Sequence, residues 1–416
     1  MFASCRHHLF WFRLLRLLLV APALANAYAP LSDQSLHDLP DPGSDFDIKD
    51  GAILSPILRP RVPGTPGSTA VLNHIASFFR KSLPKWTLEF QNSTSKTPAT
   101  GDTKVPFVNL IARRDPPWAK TGDVGRLNLV AHYDSKFTPE GFIGATDSAA
   151  PCAMIMHAAR SVDEALTKKW DAMEADGAAS DVGGSQGVQV LLLDGEEAFV
   201  TWSDDDSLSL ASNWEQTAHP ALSTYRTPLS SIDLFVLLDL LGASSPRIPS
   251  YYPTTHWAYQ SLAKLEQRLR SLSLFQSSPN HPSKSDTQRD DSGRHHQHHR
   301  AASAAEPLFL PQSSKTSFSP TNHIEDDHIP FLARGVEVLH LIPIPFPSVW
   351  HQMSDDGEHL DMDVTRDWAI LVTAFVAEWM ELDEFIKGTK EAGNENTRRE
   401  KEWLDPNDVI ISKTEL

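Results

Sequence analysis

Cysteine is almost absent from this sequence. Only Cys5 and Cys152 occur in 416 residues. Cys5 falls in a leader-like N-terminus, so the mature chain is expected to carry no internal disulfide. Cys152, inside the apolar run 149–156, reads as a small core residue rather than a reactive thiol. Basic charge is scarce too: 37 Lys and Arg stand against 54 Asp and Glu, a formal charge of −17. That balance argues against nucleic acid or an anionic membrane as partner, since both need a basic face. It fits equally a plain solubility role or a site that attracts cationic ligands such as peptide N-termini. No apolar run reaches the ~20 residues of a membrane span, so no span is expected in the mature chain. Four-cysteine and His-Glu-x-x-His spacings are missing as well, so any metal site must be assembled across the fold.

The two ends carry address-like features. Met1–Ala27 reads as a signal peptide: Arg6, Arg13 and Arg16 supply positive charge, an apolar core follows, and Ala25-Asn26-Ala27 is a small-x-small cleavage pattern. The chain ends in Lys413-Thr414-Glu415-Leu416, which is similar to the Lys-Asp-Glu-Leu retrieval signal. A resident of the endoplasmic reticulum lumen is expected, with secretion as the alternative. Asn92-Ser93-Thr94 is a glycosylation sequon consistent with that route.

Between the ends, apolar runs and helical spacings alternate. Val188–Leu193 and Ile232–Leu241 are mostly apolar and read as buried strands; Trp86–Phe90, Val105–Arg113, Arg126–Ala131 and Gly335–Pro343 read as further strands. Helices are expected at Pro66–Leu83, at Asp147–Leu166 behind an Asp-Ser capping pair, from Ser207, at Thr254–Leu272 and at Val364–Phe385. The pattern predicts an α/β fold, a three-layer sandwich with a mixed, mostly parallel sheet flanked by helices. Residues 28–65 read as an extended N-terminal arm, 66–386 as a single catalytic domain, and 387–416 as a charged tail. Ser277–Ser319, with His295-His296-Gln297-His298-His299, reads as a disordered insertion. The stretch Asp171–Gly187 reads as a flexible loop.

Acids and histidines recur where strands stop: His132 and Asp134, Asp147, Glu196 and Glu197, Asp239, Asp326 and Asp327, and His351. Carboxylates and imidazoles converging on one sheet edge make a divalent-metal site, and mixed N/O ligands favour zinc. Each member has a plainer reading. Asp147 reads equally as a helix cap, His351 as a packed surface residue, His340 as a satisfied core histidine, and Asp134 as the group that orients His132. Asp239 in so apolar a run must have a partner, a proton or a metal.

Six blocks carry a resemblance to the glutaminyl-peptide cyclotransferases, enzymes similar in fold to the zinc aminopeptidases. They are His132-Tyr133-Asp134-Ser135-Lys136, Gly144-Ala145-Thr146-Asp147-Ser148, Asp194-Gly195-Glu196-Glu197-Ala198-Phe199, Leu238-Asp239-Leu240-Leu241-Gly242-Ala243, Asp326-Asp327-His328-Ile329-Pro330-Phe331 and Phe346-Pro347-Ser348-Val349-Trp350-His351. The resemblance spans most of residues 66–382. It implies cyclisation of N-terminal glutamine, and of glutamate as a second substrate, to pyroglutamate on peptides and proteins. It further implies one zinc per chain held by Asp147, Glu197 and His351, with Glu196 as general acid/base and Asp239 and Asp326 in its hydrogen-bond network. Trp202, Ile324, Phe346 and Trp350 would line the pocket for the substrate's first side chain. Ala131 stands where animal members commonly have a Cys that pairs with the one matching Cys152, and Glu325 where Gln is common. A monomer is expected. The competing reading is a two-zinc aminopeptidase, whose five ligands would be His132, Asp147, Glu197, Asp239 and His351.

Overall fold

The computed structural model describes residues 29–97, 99–177, 185–197, 199, 205–277, 309–318 and 324–386. The leader, Trp202, the His295–His299 cluster and the tail with its terminal Lys-Thr-Glu-Leu lie outside them. Six strands are described: β1 (Thr87–Lys96), β2 (Lys104–Arg114), β3 (Val124–His132), β4 (Ser185–Leu193), β5 (Ile232–Leu238) and β6 (Val338–Leu341). They form one sheet in the order β1-β2-β4-β3-β5-β6. β4, β3, β5 and β6 run parallel, and β1 and β2 add antiparallel neighbours at one side. The mixed, mostly parallel sheet is thus as the apolar runs predict.

Both faces of the parallel part are covered, and residue alternation shows it. Leu127, Leu129 and Ala131 of β3, Val190 and Leu192 of β4, and Leu234 and Val236 of β5 join the larger core. That core is completed by α2 (Pro66–Ser82), α3 (Ala150–Ala175), α5 (His256–Ser271) and α7 (Met362–Trp379); the short α1 (Asp33–Asp38) precedes them in the chain, and α4 (Asp205–Gln216) comes between α3 and α5. The intervening residues Val130, Leu191, Phe235 and Leu237 point the other way, against Leu210 and Trp214 of α4 and Phe331 of α6 (Ile329–Leu332). Side chains of successive strand residues alternate between faces, so a strand buried on both must be apolar throughout. No helix among the described residues is long and apolar enough to cross a membrane.

Several expectations need correction. Asp147 and Ser148 do not cap a helix. They sit in a kinked turn, Ala145–Ala149, with non-helical backbone angles, and α3 begins only at Ala150, with no side-chain cap. β1 runs on to Lys96, past the expected strand end at Phe90, so the sequon lies within it, with Asn92 exposed. β5 stops at Leu238, so Asp239 projects from the strand end and Leu240 turns left-handed (φ 54°). The supposed loop at Asp171–Gly187 is partly regular: α3 reaches Ala175 and β4 starts at Ser185. Phe309 and Leu310, placed by sequence in the disordered insertion, are buried, and Phe309 stacks on Trp368 at 5.0 Å. Their amides donate to Glu266, which local composition could not reveal. The arm is also more than a surface strap: Leu36, Phe46, Leu54 and Ile57 belong to the core.

Candidate active site

The carboxyl ends of the parallel strands lie at one edge of the sheet, where open α/β sheets bind ligands. β3 and β4 end level, His132 facing Leu193 in register. The turn that follows β4 is fixed from two sides. The Asp194 amide donates to Asn109 Oδ1 and its carboxylate accepts from the Val108 amide, each at 2.9 Å. Gly195 then adopts φ 86°, and a Cβ there would meet the Phe107 ring at 2.5 Å, so only glycine fits. Asp134 accepts from the amides of both Glu196 (3.3 Å) and Glu197 (3.0 Å). Its role is thus wider than orienting His132, whose Nδ1 it meets at 3.4 Å.

Three ligand-type side chains converge beside that turn. Single ligand atoms of Asp147, Glu197 and His351 all lie within 4.8 Å of one another. His351 Nε2 is 3.6 Å from Asp147 Oδ2 and 3.4 Å from Glu197 Oε2. Asp147 and Glu197 are buried, yet Asp147 Oδ2 and Glu197 Oε1 have no hydrogen-bond partner. Buried carboxylate oxygens left unpaired are costly. A divalent cation would satisfy them, and the mixed N/O donors suit zinc. Burial raises the Asp147 carboxyl to about 7, with the Glu197 charge adding to the effect. Burial likewise raises Glu197 to about 7, against the pull of His132 and of Lys136, whose Nζ stands 3.5 Å from Glu197 Oε2. Burial lowers His351, keeping its imidazole in the neutral form that binds metals.

A second group, His132, Asp147 and Asp239, also has ligand atoms within 4.8 Å, and it shares Asp147. It is more closed. His132 Nε2 lies 3.2 Å from Asp147 and 3.4 Å from Asp239. Asp239 Oδ1 also accepts from Ser148 Oγ (2.5 Å) and the Leu240 amide (2.8 Å). Burial opposes charge on His132, but hydrogen bonds to Asp134, Asp147 and Asp239 raise it well above its ordinary value. Burial also opposes charge on Asp239, yet those contacts hold its carboxyl below the usual range. Cys152 donates to the His132 carbonyl (3.1 Å), with buried Ala131 beside it in β3.

Glu196 stands next in the chain to Glu197 and is half-buried. Burial, opposed by His132 but reinforced by the charges of Asp326, Glu197 and Asp327, raises its carboxyl well above the ordinary value. Buried Asp326 accepts from the Asp327 amide and meets His340 Nε2, each at 2.7 Å, so His340 is indeed a satisfied core histidine. His328, at a ring distance of 4.4 Å from His340, meets the Tyr252 hydroxyl at 2.6 Å. Of the expected pocket residues, Phe346 packs edge-on against Trp350 at 4.8 Å, and Trp350 stacks on His351 at 4.0 Å. Trp350 is 38% exposed. Ile324 lies half-buried two residues before Asp326. Sequence reasoning missed Arg61 and Asp355, both buried and both bonded to the turn that carries Asp147. Neither stands near a strand end in sequence, so no local signal pointed to them.

The sequence model of peptidase family M28 matches residues 109–295 and 277–376. A glutaminyl-peptide cyclotransferase of Gloydius blomhoffii is 38% identical over 341 residues, 79% of this chain and 80% of that protein. The Bos taurus glutaminyl-peptide cyclotransferase is 35% identical over 337 residues, 79% and 81% of the two chains. Among solved structures, Macrostomum lignano glutaminyl cyclase aligns at a TM-score of 0.61 with 27% identity, covering 86% of this chain and 96% of that one. The chain belongs to the glutaminyl-peptide cyclotransferases, within peptidase family M28.

Proposed function

We propose that this chain cyclises the N-terminal glutamine of peptides and proteins to pyroglutamate, releasing ammonia, at a single zinc site formed by Asp147, Glu197 and His351. The observation that carries the reading is their convergence beside Glu196, in a chain whose relatives bear that enzyme name. Zinc bound there would act as a Lewis acid on the side-chain amide carbonyl. Everything else falls to the protein. The neutral α-amine attacks the amide carbon, forming the ring C–N bond, and the original C–N bond breaks. Glu196 takes the proton the amine sheds and returns it to the departing nitrogen, which leaves as ammonia. The raised Glu196 carboxyl suits a group that must both accept and give a proton near neutrality. Asp326 tunes that group by charge, and Asp239 acts on it through His132, which it meets at 3.4 Å. Trp202, Ile324, Phe346 and Trp350 hold the first side chain folded for ring closure.

The test is incubation with a Gln-initiated peptide, with and without a chelator. Loss of one ammonia by mass in the untreated sample alone is expected; an unchanged peptide, or release of its first residue, would overturn the reading. The alternative, a two-zinc aminopeptidase, is favoured by the second cluster that shares Asp147, and two zinc ions per chain would support it. The leader, the terminal Lys-Thr-Glu-Leu and the exposed sequon support residence in the endoplasmic reticulum lumen with Asn92 glycosylated, secretion being the alternative.

A further inference from the structure

Arg61 lies in the N-terminal arm, far in sequence from every strand end, yet it is fully buried. Its donors are directed at main-chain carbonyls. Nε donates to the Tyr133 carbonyl (2.5 Å), Nη1 to Ile143 and, at 3.4 Å, to Arg59, and Nη2 to Gly144 (2.9 Å) and Asp147 (3.3 Å). The Arg61 amide donates to Ser135 Oγ (2.8 Å), and that hydroxyl donates on to the Phe142 carbonyl (3.3 Å). These acceptors are the two ends of one loop. Tyr133 directly follows β3, and Gly144 through Asp147 form the kinked turn that presents a ligand-type carboxylate.

That turn satisfies only part of its own backbone, through the Ala149 amide on Gly144 and the Ala150 amide on Ala145. Gly144 is left-handed (φ 64°), and a Cβ there would stand 2.1 Å from the Asp147 carbonyl oxygen. Asp147 and Ser148 are off the helix; the Gly144 carbonyl keeps one partner inside the turn, the Ala149 amide at 3.2 Å, and the guanidinium adds a second donor there and supplies donors to the buried carbonyls of 143 and 147. A planar guanidinium with five N–H donors is the one side chain able to gather several carbonyls at fixed angles.

We infer that Arg61 is a positioning residue that presets the Asp147 loop for metal, so that the arm completes the site without touching substrate. This rests on Asp147 being a zinc ligand. Partners outside the ligand shell typically change metal affinity about 10- to 100-fold, and Arg61 acts on the ligand's own main chain. A plain arm anchor would also be buried, so the test must separate the two roles. Asp45 supplies the control: its carboxylate fixes the same arm through Arg160 (2.6 Å), and its other described bonds are main-chain ones, the amide donating to the Pro42 carbonyl and the carbonyl accepting from the amides of Ile53 and Leu54.

The full chain is stripped of metal and titrated with zinc against a chromogenic chelator, as wild type, Arg61→Met, Arg61→Lys and Asp45→Asn. Amide hydrogen exchange at 143–147 is followed in the metal-free proteins. Arg61→Met is expected to weaken zinc binding about 10- to 100-fold and to speed exchange in the loop. Arg61→Lys, which can reach fewer carbonyls, should fall between it and wild type, and carries the test if Arg61→Met does not fold. Asp45→Asn should lower the melting temperature and leave zinc affinity unchanged. Unchanged affinity in the folded Arg61 variants would overturn the inference, as would an equal loss in Asp45→Asn. A wild-type chain that binds no zinc would overturn the ligand assignment itself, and the inference with it.

Discussion

Two clusters of metal-ligand side chains meet at Asp147 and differ in how their polar atoms are satisfied. In Asp147–Glu197–His351, two buried carboxylate oxygens lack a hydrogen-bond partner, and His351 is about a quarter exposed at 27%. In His132–Asp147–Asp239, a buried imidazole stands among three carboxylates, and Asp239 accepts from Ser148 and Leu240 besides. The same residue types at similar spacing therefore have different chemistry. In the first cluster, a cation would satisfy the two unpaired oxygens. In the second, contacts with three carboxylates favour the charged form of His132, and an ion there would compete with that charge. Proximity of ligands is thus a poor guide to metal number unless the hydrogen bonds are counted.

The sharpest way to separate the clusters is to remove the proton carrier and keep the metal. Glu196→Gln should lower turnover about 10²- to 10⁴-fold, with zinc content by elemental analysis unchanged. Full turnover in this variant would remove Glu196 from the mechanism. The next contrast sets one histidine against the other. His351→Ala should abolish tight zinc binding and with it the thermal stabilisation that zinc gives, about 4 kcal/mol at a thousandfold excess over Kd. His132→Asn should retain one zinc per chain while slowing turnover. Two ions in wild type falling to one in His132→Asn would reverse the comparison in favour of the aminopeptidase reading.

The smallest expected effect comes from histidines outside both clusters, and tells acid sensitivity of the fold from that of the site. Burial lowers His157 from 6.5 to about 3 and His74 from 6.5 to about 4. Both contact carbonyls of the arm, at Pro40 and Ile53. A histidine with a depressed folded pKa adds stability that is fully present above its unfolded value and is lost as pH falls toward the folded one. Each therefore removes about 2 kcal/mol between pH 6.5 and pH 5. Melting temperature should drop over that window. His157→Gln should show a shallower drop, whereas an equal slope in wild type and variant would place the acid sensitivity elsewhere.

Much of this was legible in the residues. Strands buried on both faces must be mostly apolar, so β4 and β5 stand out in the runs Val188–Leu193 and Ile232–Leu241. The acids that end those runs are informative because a sheet brings strand ends together whatever their separation in sequence. Asp147 was half legible: its block marked it as a ligand, while its place before a helix suggested a cap. The kink removes the cap reading, and Arg61 and Asp355 are both bonded to the turn that makes it. Phe309 and Leu310 were hidden because their polar neighbours in sequence outweigh two apolar residues in any local average.

By itself the sequence determined the order of strands and helices, the apolar cores on both sheet faces and the identity of the candidate ligands. These follow from periodicity and side-chain chemistry, which are local. Only the tertiary structure decided which carboxylates stay unpaired and which are already neutralised. It also decided that a buried arginine from the arm braces the turn presenting Asp147. Those are matters of hydrogen-bond geometry between segments tens of residues apart, and no local pattern encodes which donor reaches which carbonyl.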